Sequence, residues 1–141
     1  MWRNWLPVRR RRRSLGERGE TASAKFLAKL GYKIVARGDR DGIGELDIVA
    51  VDMRDSRGPT VVFVEVKTRI NHDAGHPTEA VDIDKQRQLT RVALSYSKRH
   101  GLLDYPSRFD VVAVTWPPDQ KSPTIEHFMH AFEAAELGQI F

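Results

Sequence analysis

Small and apolar residues recur at helical spacing after residue 14: Gly16, Glu20, Ala24, Leu27 and Gly31 fall on one stripe, broadened by Phe26 and Leu30. That period predicts a first helix over residues 14–30, with Gly31 as its stop. Residues 32–37 are β-branched and predict a short strand, and the polar, glycine-punctuated stretch 38–44 predicts a turn. Residues 45–51 and 60–68 predict two more strands, joined by the turn-forming stretch 52–59. Both are apolar on both faces apart from their charged ends, the pattern of central strands covered on two sides. A polar loop over 69–81 precedes a second helix, capped by Asp82 or Asp84, with the stripe Leu89, Val92, Ala93 and Tyr96 and a stop at Gly101. Residues 109–116 predict another apolar strand, broken by Pro117 and Pro118, and 125–132 a last strand at the sheet edge. Helix, three strands, helix, two strands is the order of an α/β fold, a mixed β-sheet of about five strands flanked by helices.

The chain has 141 residues, a length that makes one domain with one core. No run approaches the roughly 20 apolar residues that span a bilayer, so no membrane segment is expected. The first 13 residues end in a basic run, where a secretory signal begins with its charge, and this predicts a cytoplasmic location. The absence of cysteine excludes disulfides, zinc-cysteine sites and thiol nucleophiles. Residues 1–20 carry seven arginines against Glu17 and Glu20, a balance of +5 within a formal net charge of +4. The run Arg9, Arg10, Arg11, Arg12, Arg13 therefore predicts a disordered basic arm over 1–13, ahead of an ordered domain over 14–141. Such an arm suits a polyanion, through counterion release, as well as it suits a solubilising tail. Trp2 and Trp5 beside it are placed either to stack on bases or to dock the arm.

The chemistry concentrates in Gly44-Glu45-Leu46-Asp47 and Phe63-Val64-Glu65-Val66-Lys67-Thr68-Arg69. Glu65 and Lys67 stand two apart behind an apolar run and share a strand face, as do Glu45 and Asp47 on theirs. A symmetric hairpin closed by Asp52 and Thr60 puts Asp47 opposite Glu65, with side chains about 5 Å apart at their β-carbons. Carboxylates that close repel, and a divalent cation relieves the repulsion. Mg²⁺ favours a few carboxylates plus water and phosphate oxygens. Lys67 would stabilise charge on a reacting phosphate; the competing reading is a structural ion pair with Glu65 or Asp47. Glu20 lies on the apolar stripe of the first helix, either as a further carboxylate of the site or as a side chain reaching past the helix start. Glu45 belongs to the rim. Arg87, Gln88, Arg91, Ser95 and Arg99 line the polar side of the second helix, where they would track a phosphate backbone or simply solvate the helix. Lys85 and Gln86 stand near its start, within possible reach of the site. His72 and His76 lie in a loop that gives them no fixed metal-binding geometry.

Gly16-x-x-Gly19-Glu20, Gly31-Tyr32, Gly44-Glu45-Leu46-Asp47, Phe63 to Arg69, Arg108-Phe109-Asp110-Val111 and His127-x-x-x-Ala131-Phe132 together resemble the YraN family of small bacterial proteins. The resemblance runs over residues 14–132. It implies a restriction-endonuclease-like fold of the PD-(D/E)xK class, similar to archaeal Holliday-junction resolvases. It also implies that Glu20, Asp47, Glu65 and Lys67 fill the catalytic positions, with Mg²⁺ or Mn²⁺ on Asp47, Glu65 and the carbonyl of Val66. Gly38, Leu46 and the lack of a proline before Asp47 depart from the family pattern, and none is a metal ligand.

The expectation is a metal-dependent endonuclease hydrolysing DNA phosphodiester bonds, with structure-specific cutting of branched DNA as one option among its substrates. Its nucleic-acid contacts would come from the arginine run and from Arg69, Arg87 and Arg91. A homodimer would match a two-fold symmetric junction. The rivals are a catalytically silent nucleic-acid-binding module of the same fold and a scaffold that pairs a partner through its last strand.

Overall fold

The computed structural model describes residues 13–73 and 75–135. The arm up to Arg12, with Trp2 and Trp5, lies outside the described residues. Helix α1 is Leu15–Lys29, begun by Ser14, whose hydroxyl accepts the N–H of Glu17 at 3.1 Å. Its buried stripe is Gly19, Ser23, Ala24 and Leu27. Gly16, expected on that stripe, is exposed. The helix turns a different edge inward because only a residue without a side chain fits against the sheet at position 19. A β-carbon there would overlap the Thr68 hydroxyl and lie 2.9 Å from Thr68 Cβ.

The strands are β1, Tyr32–Arg40; β2, Glu45–Asp52; β3, Thr60–Arg69; β4, Ser107–Thr115; and β5, Thr124–Phe132. β1 outruns the expected 32–37, since pairing with β2 continues to Arg40 and Glu45. Gly38, read as turn, lies inside the strand with a φ of +58°, a left-handed conformation that glycine adopts without penalty. The turn that remains is held by Asp41, whose Oδ1 accepts the N–H of Ile43 at 2.8 Å and of Gly44 at 3.1 Å. A short 3-10 turn, Pro77–Ala80, lies within the stretch read as loop, and helix α2, Ile83–Arg99, follows with Asp82 as its cap.

The sheet order is β1-β2-β3-β4-β5. All neighbours are antiparallel except β3 and β4, which are parallel and joined through α2. This is the expected α/β sheet of mixed direction. Alternate residues feed two cores. Ile48, Ala50, Val62, Val64, Val112 and Val114 pack on α1, while Val49, Val61, Phe63, Phe109 and Val111 pack on α2. Both faces of β2, β3 and β4 are therefore sealed, which is why their sequences carry unbroken apolar runs. No helix among the described residues is long and apolar enough to cross a membrane.

A buried polar network crosses the α1 face at the end of the sheet where β4 begins. Arg108 donates to Asp110 at 3.0 Å, to Asp52 at 3.0 Å and to the Tyr32 hydroxyl at 2.6 Å. Asp110, fully buried, also meets His127 Nε2 at 2.7 Å and accepts the N–H of His130 at 3.0 Å. His130 takes a φ of +52° within a register shift between β4 and β5, which aims its N–H at Asp110. The motif residues Tyr32, Arg108, Asp110 and His127 are thus explained by mutual satisfaction of buried charge.

Candidate functional site

The antiparallel ladder of β2 and β3 keeps the register set by Asp52 and Thr60 as far as Ile48 and Val64, and stops there. The expected backbone pairing of Asp47 with Glu65 does not form. The reason lies in β2: Leu46 joins the α2 core together with Val49, whereas Ile48 joins the α1 core, so strict alternation fails at Asp47. In place of a ladder bond, Asp47 Oδ2 accepts the N–H of Val66 at 2.8 Å. The strands part here, and their ends open a half-buried pocket of charge between the start of β2 and the end of β3.

Into this opening α1 delivers Glu20, the residue after the glycine that touches Thr68. One carboxylate oxygen each from Glu20, Glu45 and Asp47 lies within 4.8 Å of the others. All three side chains are partly buried. Two unit charges at that separation repel by about 3 kcal/mol at an effective dielectric near 20. Burial, with this repulsion added to it, shows in the protonation of Glu20 and Asp47. Burial pushes Glu20 up to about 7, reinforced by the charges of Asp47 and Glu45 and by a hydrogen bond with Asp47, against the opposing charge of Arg37. Burial also raises Asp47, with Glu45 adding to the shift, while the Val66 N–H, Lys85 and Lys67 act the other way.

Glu65 is buried on the α2 face of β3, next to this cluster. Its Oε1 stands 3.6 Å from Lys67 Nζ and 3.6 Å from Lys85 Nζ. Burial and the charge of Asp47 still hold its pKa above the usual value, so the two amines only partly offset desolvation. Glu20 and Asp47 are therefore brought together, with Glu65 and Lys67 beside them. Glu45, assigned to the rim, joins the carboxylates directly and also pairs with Arg40 at 2.8 Å. Lys85 is the addition from α2; its sequence signal was only its place one turn into that helix, after the Asp82 cap. Gln86, its neighbour, donates to the carbonyl of Val81 at 3.0 Å and closes the helix start.

The basic residues are more dispersed. Arg87 and Arg91 are exposed on α2, with Arg87 3.5 Å from Asp84. Ser95 and Arg99 turn back to the β1–β2 connection, Ser95 to Asp41 at 2.9 Å and Arg99 to Asp39 at 3.2 Å and Asp41 at 3.4 Å. Arg13 reaches Thr21 at 3.3 Å, and Arg69 donates to the carbonyl of Gly75 at 2.6 Å. His76 caps the 3-10 turn and packs edge-on against Phe128.

An oxygen-only set of three crowded carboxylates fits a hard divalent cation. The chain is 44% identical over 128 residues to a UPF0102 protein of Rhodopirellula baltica, covering 90% of this chain and 75% of that protein. It is 48% identical over 122 residues to one of Geobacter sulfurreducens, covering 86% and 90%. A chain in the structure of an EndoMS-dsDNA2 complex is similar at a TM-score of 0.39 and 19% identity, over 74% of this chain and 38% of that one, too remote to bear on activity. The model of the uncharacterised protein family UPF0102 matches residues 19–114, from the glycine beside Glu20 to the end of β4, and the chain belongs to that family, the YraN family its motifs resemble.

Proposed function

We propose that this protein is a Mg²⁺- or Mn²⁺-dependent endonuclease of restriction-endonuclease-like architecture that hydrolyses DNA phosphodiester bonds, with branched DNA among its candidate substrates. The observation that carries the reading is the convergence of Glu20, Glu45 and Asp47 within 4.8 Å at the point where β2 and β3 part. Crowded, half-buried carboxylates cost stability, and a cation would relieve the repulsion that the Val66 N–H bond to Asp47 and the Arg40–Glu45 pair leave in place. Asp47 with Glu20 and Glu45 would hold the cation, and Glu65 and Val66, which the family resemblance adds, border the same opening. A bound cation supplies positive charge against the phosphate. Lys67, 3.6 Å from Glu65, would stabilise the negative charge that grows on the phosphate oxygens as a water attacks in line. Glu20, a carboxylate of the same cluster, would also orient that water. The test is incubation of folded protein with Mg²⁺ or Mn²⁺ and branched, flapped, single-stranded and duplex DNAs. Cleavage lost at least a hundredfold in Asp47→Ala is expected, on the scale of removing one such group; no cleavage of any substrate by folded wild type would sink the proposal.

One observation favours the binding-module reading: Lys67 and Lys85 each stand 3.6 Å from Glu65 and give its carboxylate two cationic partners within the chain. A salt titration separates the two. For a module held by its arm, metal-independent DNA affinity falls steeply with salt, and removing residues 1–13 flattens the slope by roughly 0.9 per lost phosphate contact, with no cleavage products.

A further inference from the structure

Beyond the carboxylates, on the α2 face of the sheet, lies a cavity of about 170 Å³ roofed by the 3-10 turn. Its floor is Ala113 of β4, paired with Lys67 of β3; Pro77, Ala80 and His76 form one wall, and Lys67 and Arg69 the other. Lys67 belongs to both places, since it lines the cavity and stands 3.6 Å from Glu65. Arg69 is anchored through Nη1 to the carbonyl of Gly75 at 2.6 Å, yet its Nε is buried with no acceptor. Among the described residues it is the only buried side-chain nitrogen or oxygen left unsatisfied. A guanidinium fixed by one donor on the wall of the cavity brings a permanent positive charge to it, and a charge-assisted bond from such a group to phosphate is strong.

We infer that this cavity is a nucleotide subsite, in which Arg69 holds the phosphate next to the one that Lys67 meets and the sugar and base lie against Ala113, Pro77, Ala80 and the His76 ring. The inference rests on the nucleic-acid reading for the identity of its ligand. Lys67 and Arg69 are two residues apart on one strand face, about 6.6 Å along β3, a separation that matches neighbouring phosphates of an extended strand. The apolar floor accounts for what a bare phosphate site would not need. Arg69 thus contributes a specific contact beside the reaction centre, where the exposed Arg87 and Arg91 contribute general attraction.

The probe is thymidine 5′-monophosphate, titrated without metal into the full chain while NMR follows the Ala113 methyl and His76 ring signals. Thymidine and inorganic phosphate serve as controls. The nucleotide is expected to move both signals and to bind about tenfold more tightly than either control. Arg69→Gln should weaken it about tenfold, the scale of one charge-assisted hydrogen bond. Ala80→Glu, at an exposed position of the wall, should do the same by repelling the phosphate, so the inference stays testable if the arginine variant misfolds. Unmoved signals, equal binding of thymidine, or full affinity in folded Ala80→Glu would each overturn it. Nucleotide binding by a chain that cuts no DNA would remove the hydrolase reading and leave the subsite standing, and cleavage without binding here would do the reverse.

Discussion

A carboxyl that ionises near neutrality couples pH, folding and cation binding at one side chain, and Glu20 is that residue. Its folded pKa of about 7 exceeds the ordinary value of 4.5, so between these values the folded chain keeps a proton that the unfolded chain has released. Stability from this group is complete below pH 4.5 and is lost as pH rises to about 7. Glu20→Gln cannot ionise. In thermal unfolding with chelator, the variant should gain on wild type across that window by about 1 kcal/mol, a figure reduced for the partial exposure of the group. A constant difference from pH 4 to 8 would show that the crowding of Glu20 with Asp47 and Glu45 is not felt in solution. Added Mg²⁺ should narrow the gap in wild type, because a cation favours the ionised form.

At the scale of elements, the site depends on how closely α1 lies on β3. The contact is made at Gly19, under which Thr68 fits directly, and it places Glu20 over the gap between β2 and β3. Gly19→Ala puts a methyl into Thr68, and either the helix lifts or the strand bends. Overpacking of this kind costs about 2 kcal/mol, measurable by urea unfolding. Thr68→Ala, which removes the hydroxyl and methyl that would be struck, should restore part of the loss in the double variant. Full additivity of the two changes would refute the contact. Cation affinity in folded Gly19→Ala should also fall, since Glu20 moves with its helix. The parting of β2 from β3 is the second element-level feature, and the bond from Val66 N–H to Asp47 fixes it.

For the molecule as a whole, the polar network around Arg108 ties β1, β2, β4 and β5 together at the end of the sheet away from the carboxylates. Hydrogen bonds from Arg54 hold Asp52 well below the usual carboxylate range. Burial alone would raise Asp110, but bonds from His127, Arg108 and the His130 N–H bring it below its ordinary value. Depressed folded pKa values mean stability that is present above about pH 4 and lost as pH falls through them. Arg108→Met leaves Asp110 and Asp52 short of a buried partner and should cost about 3 to 5 kcal/mol, with a weaker loss of stability on acidification than wild type. Urea unfolding at pH 7 and pH 3 reads both. Cation binding by the folded fraction should be unchanged, and a matching loss there would show that the two ends of the sheet are coupled.

The element order, the two-sided burial of β2 and β3, the start of α1 near Ser14, the cap at Asp82 or Asp84, and the pairing of Asp52 with Thr60 could all be read from hydrophobic period and turn chemistry. These are local signals, set by residues within a few positions of one another. The same signals brought Glu20, Asp47, Glu65 and Lys67 forward, because charge inside apolar patterns needs a reason. Other features required tertiary structure. Gly38 continues a strand because β2 supplies its neighbours, and Gly19 replaces Gly16 on the buried stripe because β3 approaches at that turn. Asp47 leaves the ladder because Leu46 is drawn into the α2 core. Lys85 reaches Glu65 only through the β3–α2–β4 crossover, and Glu45 joins Glu20 only through the packing of α1. Each of these depends on which distant segment fills the space beside a residue, and the period of a single chain segment carries no record of that.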